Sequence, residues 1–541
     1  FPLAEFLKHV TQNEFEDVPE HRQLIFDAIV RYRKMKNRGV VAEYLRGRFD
    51  RFSHFARIGE GSLGGKGRGI AFVDHILKKH AVFESIPDVE IRIPKTLVLC
   101  TDIFDRFMDD NNLYPVALSD APDETILQAF LASRLPEELL GDIQTFCEVV
   151  GGPVAVRSSS LLEDSHYQPF AGIYSTYMIP YLEDKEEMLR MLGDAVKGVY
   201  ASVFYKDSKA YMQATSNVID QEKMAVILQE VVGQQYGTRF YPNVSGVARS
   251  VNYYPIGDEK AEEGTVSLAM GLGKYIVDGG TSLRVCPYHP TQVLQMSEMD
   301  IALRDTQTSF YALETSIPKD KFGYRIKTVF QVDDGFNLVK IPVREAEQDG
   351  SLQWICSTFD PVDQCIYDGF YEGRNRKIIS FAGVLQNGVW PMPELLRLVL
   401  KLGQEEMKRP VEIEFACNIN KDKTGDFYLL QIRPMVDNRM QLDEDLSAIP
   451  DEQCLLRSHN AIGHGNITDI TDIVYIKTGE KSKYTPGKNP QIADEVERIN
   501  RSLLQEERKC LLIGPGRWGS SDSWLGIPVK WPHISSAQVI V

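Results

Sequence analysis

A chain of 541 residues is too long for one ordinary domain; at roughly 150 residues each it holds about three or four. Its 43% hydrophobic and 25% charged residues form an ordinary globular mix, which excludes a disordered or collagen-like chain. With 60 Lys and Arg against 76 Asp and Glu the formal net charge is −16. That balance excludes a general nucleic-acid or anionic-membrane binder but leaves room for a local basic pocket.

The cysteines, from Cys100 to Cys510, lie far apart with no C-x-x-C pair, so reduced thiols and a cytoplasmic location are expected. No apolar run approaches the length that spans a membrane. The sequence opens at Phe1 without a signal-peptide pattern and stops inside the apolar stretch Ala537 to Val541. The expectation is a piece of a longer protein, accompanied by further domains of the same protein.

Leu24, Ile25, Ala28, Ile29, Tyr32 and Met35 recur at helical spacing and predict an amphipathic helix or helix pair within residues 20–50. A glycine-rich turn follows, Gly59 to Gly69, leading into a helical pattern over Ile70 to Lys79. Such a turn is a common way to set backbone N–H groups around an anion. Strands are predicted at Ile91–Leu99 and Pro153–Val156, with helices at Glu137–Val150, Lys185–Phe204 and Asp207–Thr215. Met224–Val232 is an almost unbroken apolar run, as in a strand buried on both faces. Further strands are predicted at Gly246–Tyr253, Thr265–Met270, Val411–Ala416 and Phe427–Ile432, with a helix at Met392–Met407. The polar segment 436–452 reads as a domain boundary, beyond which lie strands near Ile473–Ile476 and Cys510–Ile513 and a helix near Ile492–Glu507. The architecture expected is α/β or α+β.

Gly59-x-Gly61-x-x-Gly64 matches the dinucleotide fingerprint in letters, but Phe52–Ile58, with His54 and Arg57, is not a clean buried strand. A Walker A loop is excluded because Gly67 follows Lys66. Gly514-x-Gly516-x-x-Gly519 runs into no helix and reads as a surface turn. Lys66 sits among six glycines between positions 59 and 69, where a ligand can approach the backbone and an ammonium group suits a phosphate. Arg157 ends an apolar strand and is followed by Ser158, Ser159 and Ser160, a set resembling an oxyanion clamp. The alternative is an Arg paired to a carboxylate such as Glu163 or Asp164. Phe170-Ala-Gly-Ile-Tyr-Ser-Thr176 could cover a phosphate. Glu412 and Glu414 share one strand face, as do Gln431 and Arg433; their oxygens could hold Mg²⁺ with an Arg on the phosphates, or the faces could simply be solvated.

In this order, Gly64-Gly-Lys-Gly67, Val154-Ala-Val-Arg-Ser-Ser159, Met224–Val232 with Gln229, and Ile413-Glu-Phe-Ala416 with Gln431-Ile-Arg-Pro434 resemble the nucleotide-binding domain of phosphoenolpyruvate synthase and pyruvate phosphate dikinase, a divergent ATP-grasp. The resemblance covers roughly residues 56–436 and implies ATP and Mg²⁺ as cofactors. It assigns Lys66, Arg157 and Arg433 to the triphosphate, Gly172 and Thr176 to a covering loop, Gln229 to the adenine end, and Glu414 and Gln431 to Mg²⁺. It divides the chain into a helical segment 1–55, grasp halves 56–240 and 241–440, and a tail unit 441–541. In the family, ATP's β-phosphate passes to a histidine on a swivelling domain and then to pyruvate, releasing AMP and phosphate. Alternatives are a dikinase acting on a glucan or a drug, and a non-catalytic ATP-sensing module.

Three departures stand out. Lys274 replaces a family Glu in Gly271-Leu-Gly-Lys274, residues 279–393 match weakly, and a Lys-Asp-Lys-Thr-Gly hairpin separates Glu414 from Gln431. Neither His459 nor His464 has the small-residue setting of the family's carrier histidine, so this chain is expected to bind Mg·ATP without making phosphoenolpyruvate by itself.

Overall fold

The computed structural model describes residues 41–46, 49, 53–160, 173–214, 222–253, 255–316, 330–373, 375–435, 449–457, 467–479, 482, 484–506, 508–520 and 526–541. Gly172, His459, His464 and the expected helix up to residue 40 lie outside them; Ala42–Glu43, within the expected helical stretch, form a short strand.

Pro94 organises the centre of the molecule. The single strand expected at Ile91–Leu99 is two strands, Val89–Arg92 and Thr96–Leu99, and they belong to different sheets. Proline has no N–H to give a ladder and breaks the run. The three residues between the strands carry the chain from one sheet to the other.

The first sheet runs, in spatial order, Ala42–Glu43, Phe55–Ile58, Thr96–Leu99, Met224–Glu230, Val154–Ser160 and Thr176–Ile179. Its middle strand, Met224–Glu230, is buried at every residue but the last, as its apolar run demands. The helix Lys185–Ser202 packs on this sheet through Met191, Leu192, Val196 and Val199. Burying each such side chain is worth about 1.5–3 kcal/mol.

The second sheet runs Leu283–Val285, Thr265–Ala269, Val244–Arg249, Val411–Ile419, Gly425–Pro434 and Val89–Arg92. It is antiparallel except for Val89–Arg92, which lies parallel to Gly425–Pro434. The helix Met392–Met407 has the bounds its periodicity predicts and covers this sheet through Leu396, Val399 and Leu400. The weakly matched stretch 279–393 folds into regular structure, including a four-stranded sheet completed by Ser309–Glu314 and Leu338–Pro342 and a three-stranded sheet of Cys356–Asp360, Cys365–Asp368 and Arg376–Ile379. The C-terminal residues build a separate parallel sheet of Asp472–Tyr475, Cys510–Ile513 and Ala537–Ile540 with the helix Asn489–Gln505 on it. The second glycine string opens the strand Arg517–Trp518 rather than a helix.

One helix bridges the two large sheets. It begins at Gly64, not Ile70, and runs to Lys79. Glycines are poor helix formers, so propensity hides its first turns. Packing requires them: a Cβ on Gly64 would overlap the Ser159 carbonyl oxygen, and one on Gly69 would stand 2.5 Å from the Ile432 carbonyl oxygen. Phe55–Ile58 is a strand parallel to Thr96–Leu99, and Arg57 and Ile58 are only partly buried, so it is not the clean buried strand of a dinucleotide fingerprint.

Candidate functional site

The site lies where the two sheets meet, and Arg157 is its centre. In the strand Val154–Ser160 every residue but Arg157 is buried, which fixes the direction of its guanidinium. Nη1 donates to Gln229 Oε1 at 3.0 Å, and Nη2 donates to Gln431 Oε1 at 3.3 Å and Glu414 Oε2 at 3.4 Å. Four residues singled out in the sequence thus touch one another, two from each sheet. Arg157 does pair with a carboxylate, but the partner is Glu414 across the cleft; Glu163 and Asp164 lie outside the described residues.

Gln229 is almost fully buried, and its amide also donates to Thr96 Oγ1 at 3.3 Å. It sits directly against Arg157, beside the groups the resemblance gives to phosphate. Lys66, on the first turn of the bridging helix, donates from Nζ to Ser158 Oγ at 3.1 Å, next to Arg157 in sequence. Ser159 anchors the helix start: its hydroxyl accepts the Gly67 N–H at 3.0 Å and donates to the Leu63 carbonyl at 2.7 Å.

Thr176 lies opposite Arg157 in the register of neighbouring strands, and its N–H donates to Asp334 at 2.7 Å. Asp334 also stands 3.5 Å from Lys274. Burial pulls the Lys274 ammonium down, but Asp334 and Asp278 outweigh it and raise it overall. The positive charge that departs from the family pattern is therefore matched locally.

On the second sheet Glu414 faces Gln431 and Glu412 faces Arg433, with a bulge between Glu414 and Phe415. Arg433 is held by Glu412, to which its Nε donates at 2.7 Å, and Arg249 Nε donates to the same carboxylate at 2.6 Å. Burial pushes the Glu412 carboxyl up; the two guanidinium groups outweigh that and hold it below the ordinary glutamate range. Sequence spacing placed Glu412 on the right face but gave no signal that it would organise two arginines.

The glycine-rich turn does collect an anion, and that anion belongs to the protein. The N–H groups of Glu60 and Gly61 donate to the Asp102 carboxylate at 3.0 and 2.8 Å, and Ser62 N–H donates to Thr101 Oγ1 at 3.0 Å. The turn is a brace for the helix start, and nothing in the sequence around Asp102 announced it.

Cations and hydroxyls from one sheet meeting oxygen donors from another define a nucleotide-binding α/β domain. Residues 60–452 match the family described as pyruvate phosphate dikinase, AMP/ATP-binding domain, and the chain belongs to that family.

Over 312 residues it is 24% identical to a phosphoenolpyruvate synthase of Aeropyrum pernix, covering 56% of this chain and 31% of the relative. It is 29% identical over 190 residues to an uncharacterized phosphotransferase, YvkC, of Bacillus subtilis, covering 35% of this chain and 20% of the relative. A protein named "Probable phosphoenolpyruvate synthase" from Methanothermobacter thermautotrophicus is 26% identical over 226 residues, 38% of this chain and 30% of the relative. The chain spans less than a third of the length of these relatives. The family match makes this an AMP/ATP-binding domain. No helix among the described residues is long and apolar enough to cross a membrane.

Proposed function

We propose that this chain binds Mg·ATP in the cleft around Arg157 and serves a phosphotransfer of the phosphoenolpyruvate synthase type, ATP + pyruvate + water giving phosphoenolpyruvate + AMP + phosphate. Residues 56–240 and 241–440 form the two halves of the grasp, with 441–541 as a separate unit. The observation that carries the reading is the contact of Arg157 with Gln229, Glu414 and Gln431, three groups from both sheets.

Arg157 and Lys66 are the cations that would receive a triphosphate, Arg157 from the cleft and Lys66 from the first turn of the helix beside it, both on rigid elements. A phosphate oxygen arriving at Arg157 offers it more negative charge than Glu414 does. Glu414 and Gln431 then become available as hard oxygen donors side by side, and this set fits Mg²⁺. Held by them, the ion would supply neutralisation of charge on the phosphates. Arg433 serves the outer end of the triphosphate while Glu412 keeps its guanidinium in place. Gln229 orients Arg157 through Oε1 in addition to the adenine contact that the resemblance implies. Thr176, expected on a covering loop, opens the strand Thr176–Ile179 and so borders the phosphates from the sheet beside Arg157; the covering role remains with Gly172, as the resemblance implies.

Calorimetric titration with Mg·ATP tests the binding, with one site per chain expected. ATP labelled in its β-phosphate, given to the full-length protein with pyruvate, tests the transfer. Wild-type turnover by an Arg157→Ala protein would end this assignment.

A further inference from the structure

Among the described residues, one cluster of metal-type ligands stands apart from the cleft. The strand Leu283–Val285 ends in Cys286-Pro-Tyr-His289, where the chain turns back on itself and the His289 N–H donates to the Cys286 carbonyl at 3.0 Å. The tight turn brings Sγ and the imidazole to the same side. The short turn Ala261–Glu263, just ahead of the strand Thr265–Ala269, adds a carboxylate. Glu263 Oε2 lies 3.0 Å from His289 Nε2 and 3.9 Å from Cys286 Sγ, and the three ligand atoms all fall within 4.8 Å of one another.

We propose that Cys286, His289 and Glu263 form a three-ligand site for a zinc-class divalent cation at the outer edge of the second sheet. Ligand atoms around a tetrahedral zinc ion at about 2.0–2.3 Å stand about 3.3–3.8 Å from each other, so closing the trio on an ion needs shifts of under about 1 Å. Thiolate, imidazole and carboxylate together suit zinc and exclude Mg²⁺ and Ca²⁺, which take oxygen. The turn and its neighbour hold the ligands in place: the His289 N–H ties back to the Cys286 carbonyl at 3.0 Å, and the Lys260 N–H donates to Glu263 Oε2 at 2.9 Å. Such outer contacts are what hold metal ligands ready. The neighbouring Glu259 is not a fourth ligand, since Arg284 at 2.6 Å and Asn252 at 2.9 Å take its carboxylate. The fourth position is therefore left to water. Glu263 and Tyr288 line a cleft of about 470 Å³ that gives an ion its way in.

An ion here would pin the end of one edge strand to the start of the next, three strands away from Glu414. Its effect is on the rigidity of the sheet and not on the chemistry of the cleft. The trio also makes sense as a hydrogen-bonded cluster without metal, so the experiment must separate the two. The whole chain is stripped with a chelator, incubated with Zn²⁺ alone, dialysed, and its metal content and thermal unfolding measured. About one equivalent retained per chain and a raised midpoint are expected. Co²⁺ in place of Zn²⁺ should give a sulfur-to-cobalt charge-transfer band. Cys286→Ser and His289→Gln should each weaken Zn²⁺ binding by on the order of tenfold or more and remove that midpoint shift, with Mg·ATP binding unchanged. If Cys286→Ser does not fold, His289, with 24% of its side chain exposed, supplies the same readout. Wild-type chain that retains no Zn²⁺, or variants that retain as much as wild type, would overturn the site.

Discussion

Of the two ion pairs near Arg157, one joins the two sheets and the other lies within the second, and they differ in kind. Arg157 and Glu414 approach across the cleft at 3.4 Å, with 26% of the glutamate side chain exposed. Glu412 lies within its own sheet, 8% exposed, and takes Arg249 at 2.6 Å and Arg433 from the flanking strands. The first pair is long and formed between halves, so an arriving phosphate can replace it. The second is short and confined to one sheet, a buried carboxylate between two partly exposed guanidinium groups, so losing the carboxylate leaves two like charges side by side. The cleft thus holds one arginine by a pair that a ligand can replace, and another, Arg433, by a carboxylate that keeps its place.

The sharpest way to break this comparison is Arg157→Ala. It should lower phosphotransfer by about 100- to 1,000-fold, roughly 3–4 kcal/mol, with the fold intact, as read by turnover and by circular dichroism. A large loss of stability instead would make Arg157 architectural too.

Glu412→Gln tests the other side. Removing the charge between Arg249 and Arg433 should cost about 3 kcal/mol in denaturant unfolding, more than its effect on ATP affinity. Its pH dependence has a definite sign. The folded carboxyl is held below its ordinary value, so its contribution is complete above the ordinary glutamate range and disappears as pH falls through the folded value. The Glu412→Gln protein should lose that part of the acid-side slope; an unchanged slope would remove Glu412 from the account.

Gly64→Ala comes next. Gly64 has φ +69° against the Ser159 carbonyl, so a methyl group should cost about 2 kcal/mol and disturb the Lys66–Ser158 contact. The smallest effect belongs to Lys66→Met, about 1.5 kcal/mol in Mg·ATP affinity by titration and none in stability.

Much of this was legible in the sequence. The helices Glu137–Val150 and Met392–Met407 have the bounds their periodicity predicts, because a proline at each start agrees with the apolar stripe. Arg157, Glu414 and Gln431 come together, as their shared chemistry in the sequence suggested, while Gln229, expected at the adenine end, lies against Arg157. What stayed hidden was decided by partners far along the chain. Asp102 fills the glycine-rich turn from 41 residues away, and Glu412 acquires Arg249 from a strand 163 residues earlier. Propensity also misplaced the start of Gly64–Lys79, since the glycines that weaken a helix locally are there to let it approach two sheets.

That same helix has a mechanical consequence. It meets one sheet through Gly64 and Gly67 at Ser159 and the other through Gly69 at Ile432. Its Ile70, Val73, Ile76 and Leu77 are meanwhile keyed into the core shared by both sheets. Gly64–Lys79 therefore acts as a keystone between the halves that carry Arg157 and Glu414. A methyl group added to its glycine face would wedge a sheet away from it, altering the cleft from residues that have no side chain with which to touch a ligand.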